Sequence, residues 1–81
     1  MNIINKQNFL ESVNKIKHTR CIFEFTDKPN VIGNFISTND NGNSVILSDS
    51  CVGNEKGKPP LWFFENKLYD ISNLKNCILI D

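Results

Sequence analysis

GNFISTNDNGNSVILSD, residues 33–49, is an alternating apolar segment, an Asn/Asp/Gly turn and a second apolar segment in immediate succession. Alternation on both sides of a turn specifies an antiparallel hairpin, and the Asn41-Gly42 pair suits its tight end. Gly33 sits inside the first arm, where a glycine marks a bulge, a sharp bend or a close backbone approach. The stretch therefore predicts a strongly bent β ribbon, and the fold is built outward from it.

Upstream, Cys21, Phe23 and Phe25 alternate with Ile22, Glu24 and Thr26, which predicts a strand with one strongly apolar face. Asp27, Lys28, Pro29 and Asn30 supply the turn into the hairpin. Further back, Phe9, Leu10, Val13 and Ile16 fall on one side at helical spacing, with Glu11, Ser12, Asn14, Lys15 and Lys17 on the other. Asn5 is placed to cap this amphipathic helix, and Ile4 and Phe9 hold the positions of a hydrophobic staple. Three turns of helix are marginal alone in water, so the helix must lie on the strands.

Downstream, Gly53, Gly57, Pro59 and Pro60 make residues 52–60 a loop, whose charges Glu55, Lys56 and Lys58 keep it in solvent. Leu61, Trp62, Phe63 and Phe64 open an aromatic strand that extends through Leu68 and Tyr69. Residues 71–76 read as a short turn or a single helical turn, and residues 77–80 as a short apolar closing strand. The expected fold is mainly β: an N-terminal helix followed by a five-stranded, strongly bent antiparallel sheet, in one domain spanning residues 1–81.

Composition narrows the function. Nine basic and nine acidic side chains cancel, so the chain lacks the bulk positive field that gathers phosphate. No apolar run is long enough to cross a bilayer, and the first residues lack the pattern of a secretory signal, so an intracellular location is expected. Three cysteines at wide spacing, Cys21, Cys51 and Cys77, read as reduced thiols in strands.

Catalysis fits poorly. The single histidine, His18, lies at the helix-to-strand junction, no phosphate-cradling glycine loop or nucleophile elbow occurs, and the aspartates are separated by turns. His18 and Cys21 have ligand-like spacing, but a structural zinc needs about four ligands and no second close pair exists. No enzyme activity, cofactor or metal is expected.

Gly33, Phe35, Asn39 and Asn43, followed by Val45-Ile46-Leu47-Ser48-Asp49, resemble the first motif of Sm and Sm-like proteins. In that family an Asp commonly stands six residues after the glycine and an Asn ten after it; here Asn39 and Asn43 hold those places. The family's second motif carries an Arg-Gly pair before the last strand, and the corresponding residues 69–73, Tyr-Asp-Ile-Ser-Asn, lack it. With that arginine gone, the chain is similar to Sm-like domains whose RNA pocket has been lost, such as the Sm-like Gemin subunits of the survival-motor-neuron complex. Phe9-Leu10-Glu11-Ser12, Ile22-Phe23-Glu24-Phe25-Thr26 and residues 68–80 carry that likeness.

The resemblance implies an Sm-like, SH3-like barrel. It also implies a non-catalytic subunit that pairs edge to edge with another Sm-like protein, helps assemble spliceosomal particles, and resides in cytoplasm and nucleus. The expected interface residues are Trp62, Phe64 and Leu68 on the fourth strand and Cys77, Ile78, Leu79 and Ile80 on the last, which is taken as an unpaired edge. The alternative is a ring subunit that binds uridine-rich RNA through Asn39 and Asn43. A third is an unrelated small barrel that docks peptides or inhibits an enzyme.

Overall fold

The computed structural model describes residues 2–53 and 57–80. Seven strands and one helix follow in the order β1 (Asn2–Asn5), α1 (Lys6–Ile16), β2 (Arg20–Phe25), β3 (Val31–Thr38), β4 (Ser44–Val52), β5 (Leu61–Phe63), β6 (Lys67–Asp70) and β7 (Leu74–Leu79). All pairings are antiparallel, in the order β1-β7-β2-β3-β4-β5, with β6 also on β4. Among the described residues β1 does not meet β5 or β6, so the sheet stays open.

Helix α1 forms where its spacing predicts. Asn5 is the N-cap, its side chain accepting from the Asn8 N–H at 3.1 Å, which satisfies one donor that the first turn leaves unpaired. Phe9 and Ile16 bury the inner face. Phe9 meets Phe23 and Phe35 edge-on, each with ring centroids 5.8 Å apart, and these three rings tie the helix to β2 and β3. Each such pair contributes about 0.5–1.5 kcal/mol beyond the area it buries. Leu10 departs from the expected apolar face: it lies exposed beside Gly42 at the hairpin tip.

The bend falls at Gly33. A Cβ there would stand 3.0 Å from Ser50 Cβ and 3.1 Å from Leu47 Cβ, closer than side chains ordinarily pack, so glycine lets β3 and β4 approach here without displacing their neighbours. The β3–β4 register shifts between Ile32 and Asn34 and again between Phe35 and Ser37, and Asp49 on β4 takes a left-handed φ of 47°. A sheet bulged this way folds over itself. Its inner side then encloses one core that includes Cys21, Phe23, Phe35, Val45, Leu47, Tyr69 and Cys77.

Three expectations need correction. The aromatic strand is not continuous: β5 pairs with β4 at Ser50, Cys51 and Val52, and β6 with its earlier half. Between the pairs Leu47↔Lys67 and Ser50↔Phe63 lie two residues of β4, Ser48 and Asp49, but three of its neighbour, residues 64–66, so the ladder is out of step there and the strand is interrupted beside Asp49. Secondly, Asn2–Asn5 is a strand as well as the lead into the cap, which with the split accounts for seven strands where five were expected. Thirdly, the closing strand starts at Leu74, three residues earlier than expected, because the turn ends when the Leu74 N–H reaches the Ile71 carbonyl at 3.1 Å.

Glu55 and Lys56 of the expected solvent loop lie outside the described residues. The hairpin closes with a longer turn than a two-residue one. Asn39 N–H bonds the Ser44 carbonyl at 3.0 Å, and Gly42 adopts a φ of 71° between them.

Candidate functional site

The largest structural correction concerns the last strand. β7 is an interior strand: β1 pairs with it from Asn2↔Leu79 to Asn5↔Asn76, and β2 pairs on its other side from Cys21↔Leu79 to Phe25↔Leu74. Cys77 is fully buried and Leu79 is partly buried against the core, so both side chains face the inner side of the sheet and not an open edge. Ile80 is half-buried, and its N–H is used by the Arg20 carbonyl at 2.9 Å. Ile78 and Ile80 turn toward the open face of the sheet, not toward an unpaired edge. The backbone groups expected to await another molecule are already paired within the chain.

The edge that does remain open among the described residues at this end is β5 and β6, and the expected residues of the aromatic strand lie there. Leu61 is 59% exposed, Trp62 55%, Phe64 76% and Leu68 58%, which makes four of the six exposed large hydrophobics neighbours along one broken strand. Alternation explains which aromatics are spared: Tyr69 turns inward to the core, while Phe63 is half-buried under the Lys67 ammonium, 4.4 Å from its ring centroid. An apolar row rimmed by polar groups at a sheet edge is the surface by which strands are added from another chain.

Beyond its backbone pairing with β4, this edge is tied to the core by a buried side-chain hydrogen bond. Ser50 Oγ and Tyr69 Oη lie 2.6 Å apart, joining β4 to β6. Burial pushes the Tyr69 phenol above its usual range, and the Ser50 hydroxyl opposes part of that shift. Asp70, at the end of β6, is pulled the other way: Ser72 donates to its carboxylate, with the backbone N–H at 2.6 Å, and keeps it below the usual carboxylate range.

Asn39 and Asn43 are brought together, but by each other. Asn39 Oδ1 accepts from the Asn43 and Ser44 N–H groups at 3.0 Å, and Asn39 Nδ2 donates to Asn43 Oδ1 at 2.6 Å. The Asn43 carbonyl takes the Ile71 N–H at 3.0 Å, which places the hairpin tip beside the β6–β7 turn. A cavity of about 220 Å³ opens there, lined by Lys6, Phe9, Leu10, Asn43, Ile71 and Ser72 among others. Lys6 Nζ reaches across its mouth to the Ser72 carbonyl at 2.5 Å. Sequence reasoning missed Lys6 because nothing in spacing links residue 6 to residue 72.

His18 sits exposed at the helix-to-strand junction with a φ of 65°, its N–H donating to the Phe35 carbonyl at 2.6 Å. Among the described residues no cluster of three or more His, Cys, Asp or Glu side chains is placed to hold a metal ion. The three cysteines are free thiols; Cys21 and Cys77 are buried side by side, and that contact, with burial, drives the Cys77 thiol far up. No helix among the described residues is long and apolar enough to cross a membrane.

Comparison with protein-family models, with curated proteins and with solved structures gave no match to the chain.

Proposed function

We propose that the chain is a non-catalytic assembly subunit that pairs with another Sm-like protein through an open strand edge, in a survival-motor-neuron-type complex that assembles spliceosomal particles. The single observation that carries the pairing is the open β5–β6 edge, where Leu61 and Trp62 on β5, Phe64 just after it and Leu68 on β6 are all exposed. Backbone pairing along such an edge gives affinity, and the alternate apolar side chains give selectivity. Because β1 occupies the outer side of β7, the pairing edge is β5–β6 and the last strand takes no part in it. The family assignment rests on the motif residues Gly33, Asn39 and Asn43 and on a helix followed by a bent antiparallel sheet.

The test is capture from the protein's own cell extract with the purified chain as bait. A second small Sm-like protein should be recovered together with other members of such a complex. Phe64→Lys and Leu68→Lys should each reduce its recovery by about tenfold or more, because a charge on the pairing row has to be desolvated. If folded variants of both kinds recover the partner at full strength, the edge does not mediate pairing.

One observation favours a second reading. The hairpin tip and the β6–β7 turn, which in Sm proteins flank the uridine, here enclose the cavity beside Asn43 with the Lys6 ammonium at its mouth. Binding of a uridine-rich oligonucleotide that weakens with salt and is lost in both Asn43→Ala and Lys6→Ala would support an RNA-binding role instead.

A further inference from the structure

Six residues on six neighbouring strands stand directly opposite one another across the sheet. Ile3 on β1 faces Ile78 on β7, Ile78 faces Ile22 on β2, and Ile22 faces Ile32 on β3. Ile32 then faces Cys51 on β4, and Cys51 faces Trp62 on β5. Their sequence neighbours Ile4, Cys77, Cys21, Val31 and Val52 belong to the core side, so all six point to the other, solvent side. The two ends, Ile3 and Trp62, are 64% and 55% exposed, and the four between are half-buried. An antiparallel sheet with one solvated face normally turns polar residues outward; this one carries an unbroken apolar belt from edge to edge.

The residues flanking the belt differ in charge. One strand-step away on one side lie Asn5, Asn76 and Glu24, with Asn76 donating to the Glu24 carboxylate at 3.2 Å. On the other side lie Ile80, Arg20, Asn34 and Ser48, with Arg20 Nη1 donating to Asn34 Oδ1 at 3.3 Å and to the Asp49 carbonyl at 3.1 Å. Arg20 and Glu24 thus bracket Ile22 on β2, one on each flank.

We propose that this belt is a self-association face, on which a second copy of the chain packs sheet against sheet about a two-fold axis running along the belt. Such an axis lays each belt residue over its own counterpart and reverses the strand direction. The Arg20 flank of one copy then lies over the Glu24 flank of the other, twice in the dimer. The other in-plane axis, along the strands, would set Glu24 over Glu24 and Arg20 over Arg20, so charge selects between the two.

Size sets the strength. Six strands about 4.8 Å apart make a belt roughly 24 Å long, and its flanking rows give a width of about 14 Å. Two copies in contact remove on the order of 700 Å² in total, below the roughly 1,200 Å² of stable complexes, which makes the dimer weak and reversible. The belt shares only Trp62 with the β5–β6 edge, and its other five residues lie on β1, β7, β2, β3 and β4, so substitutions at Ile32 and at Leu68 separate the two modes.

Sedimentation equilibrium of the whole chain over a wide concentration range tests the proposal, with the rate of Cys51 alkylation as a second readout. A monomer–dimer equilibrium is expected in the upper micromolar range, with Cys51 reacting more slowly as protein concentration rises. Ile32→Lys should weaken the dimer about tenfold or more and remove the concentration dependence at Cys51, whereas Leu68→Lys should change neither. Arg20→Glu and Glu24→Arg should each weaken it, and the two together should restore it, an outcome that general misfolding does not produce. Should Ile32→Lys unfold the chain, Ile78→Thr tests the same face. A protein that stays monomeric at about 1 mM overturns the proposal. So does a dimer that survives Ile32→Lys, or one that is abolished by Leu68→Lys.

Discussion

At Gly33 the whole bend depends on a missing side chain. With the Cβ atoms of Ser50 and Leu47 at 3.0 and 3.1 Å from the position an added methyl would take, Gly33→Ala displaces β4 side chains by a few tenths of an ångström. It should cost about 1–3 kcal/mol, read as a lowered midpoint in urea denaturation. Tyr69 offers a second test, and as the single tyrosine it can be followed alone by near-ultraviolet absorbance. Its phenol is raised by burial, so the folded state holds its proton more tightly than the unfolded chain does. The associated stability is complete below the ordinary tyrosine value of about 10 and is lost as pH rises through the higher folded value. The absorbance midpoint should lie above that of the urea-unfolded chain. Tyr69→Phe should leave the Ser50 hydroxyl buried without its partner and destabilise by about 1–3 kcal/mol.

Among the elements, β1 and β7 hold the sharpest contrast between pattern and outcome. Residues 77–80 read as an edge because a five-stranded open sheet leaves two edges unpaired and these residues are apolar on both sides; the strand that covers them is β1, which precedes the helix. Native-state hydrogen exchange should show this directly. The amides of Cys77 and Ile78 should exchange only with global unfolding, while those of the four-residue β1 exchange through local fraying. If alternate β7 amides exchange as fast as those of β1, then β7 is an edge strand after all. The helix, by contrast, was legible down to its cap, since Asn5, Phe9 and Ile16 act within one element and its spacing states their roles. Likewise the break between β5 and β6 could not be read from residues 61–70, because it is defined by how they pair with β4 on either side of Asp49.

For the whole molecule, opposite charges cancel and the apolar surface is arranged in two zones, an edge and a belt. The sequence isoelectric point is about 6.5, so electrostatic repulsion between copies is least near that pH. Light scattering at fixed concentration should therefore be greatest near pH 6.5 and fall on either side. A scattering level that does not vary with pH would mean that net charge does not govern contact between copies.

Sequence alone determined what depends on near neighbours: the helix and its cap, the hairpin with Gly33 in its first arm, and the single apolar face formed by Cys21, Phe23 and Phe25. Each follows from periodicity or from a turn residue, and both act over a few positions. Tertiary structure decided what depends on pairing across the chain. It set β1 on β7, joined Asn39 to Asn43 in place of leaving them open, brought Lys6 to Ser72, and aligned Ile3, Ile78, Ile22, Ile32, Cys51 and Trp62 in one row. The physical reason is register. Alternation tells which face a residue takes on its own strand, but only the hydrogen bonds between strands fix which residue stands beside it.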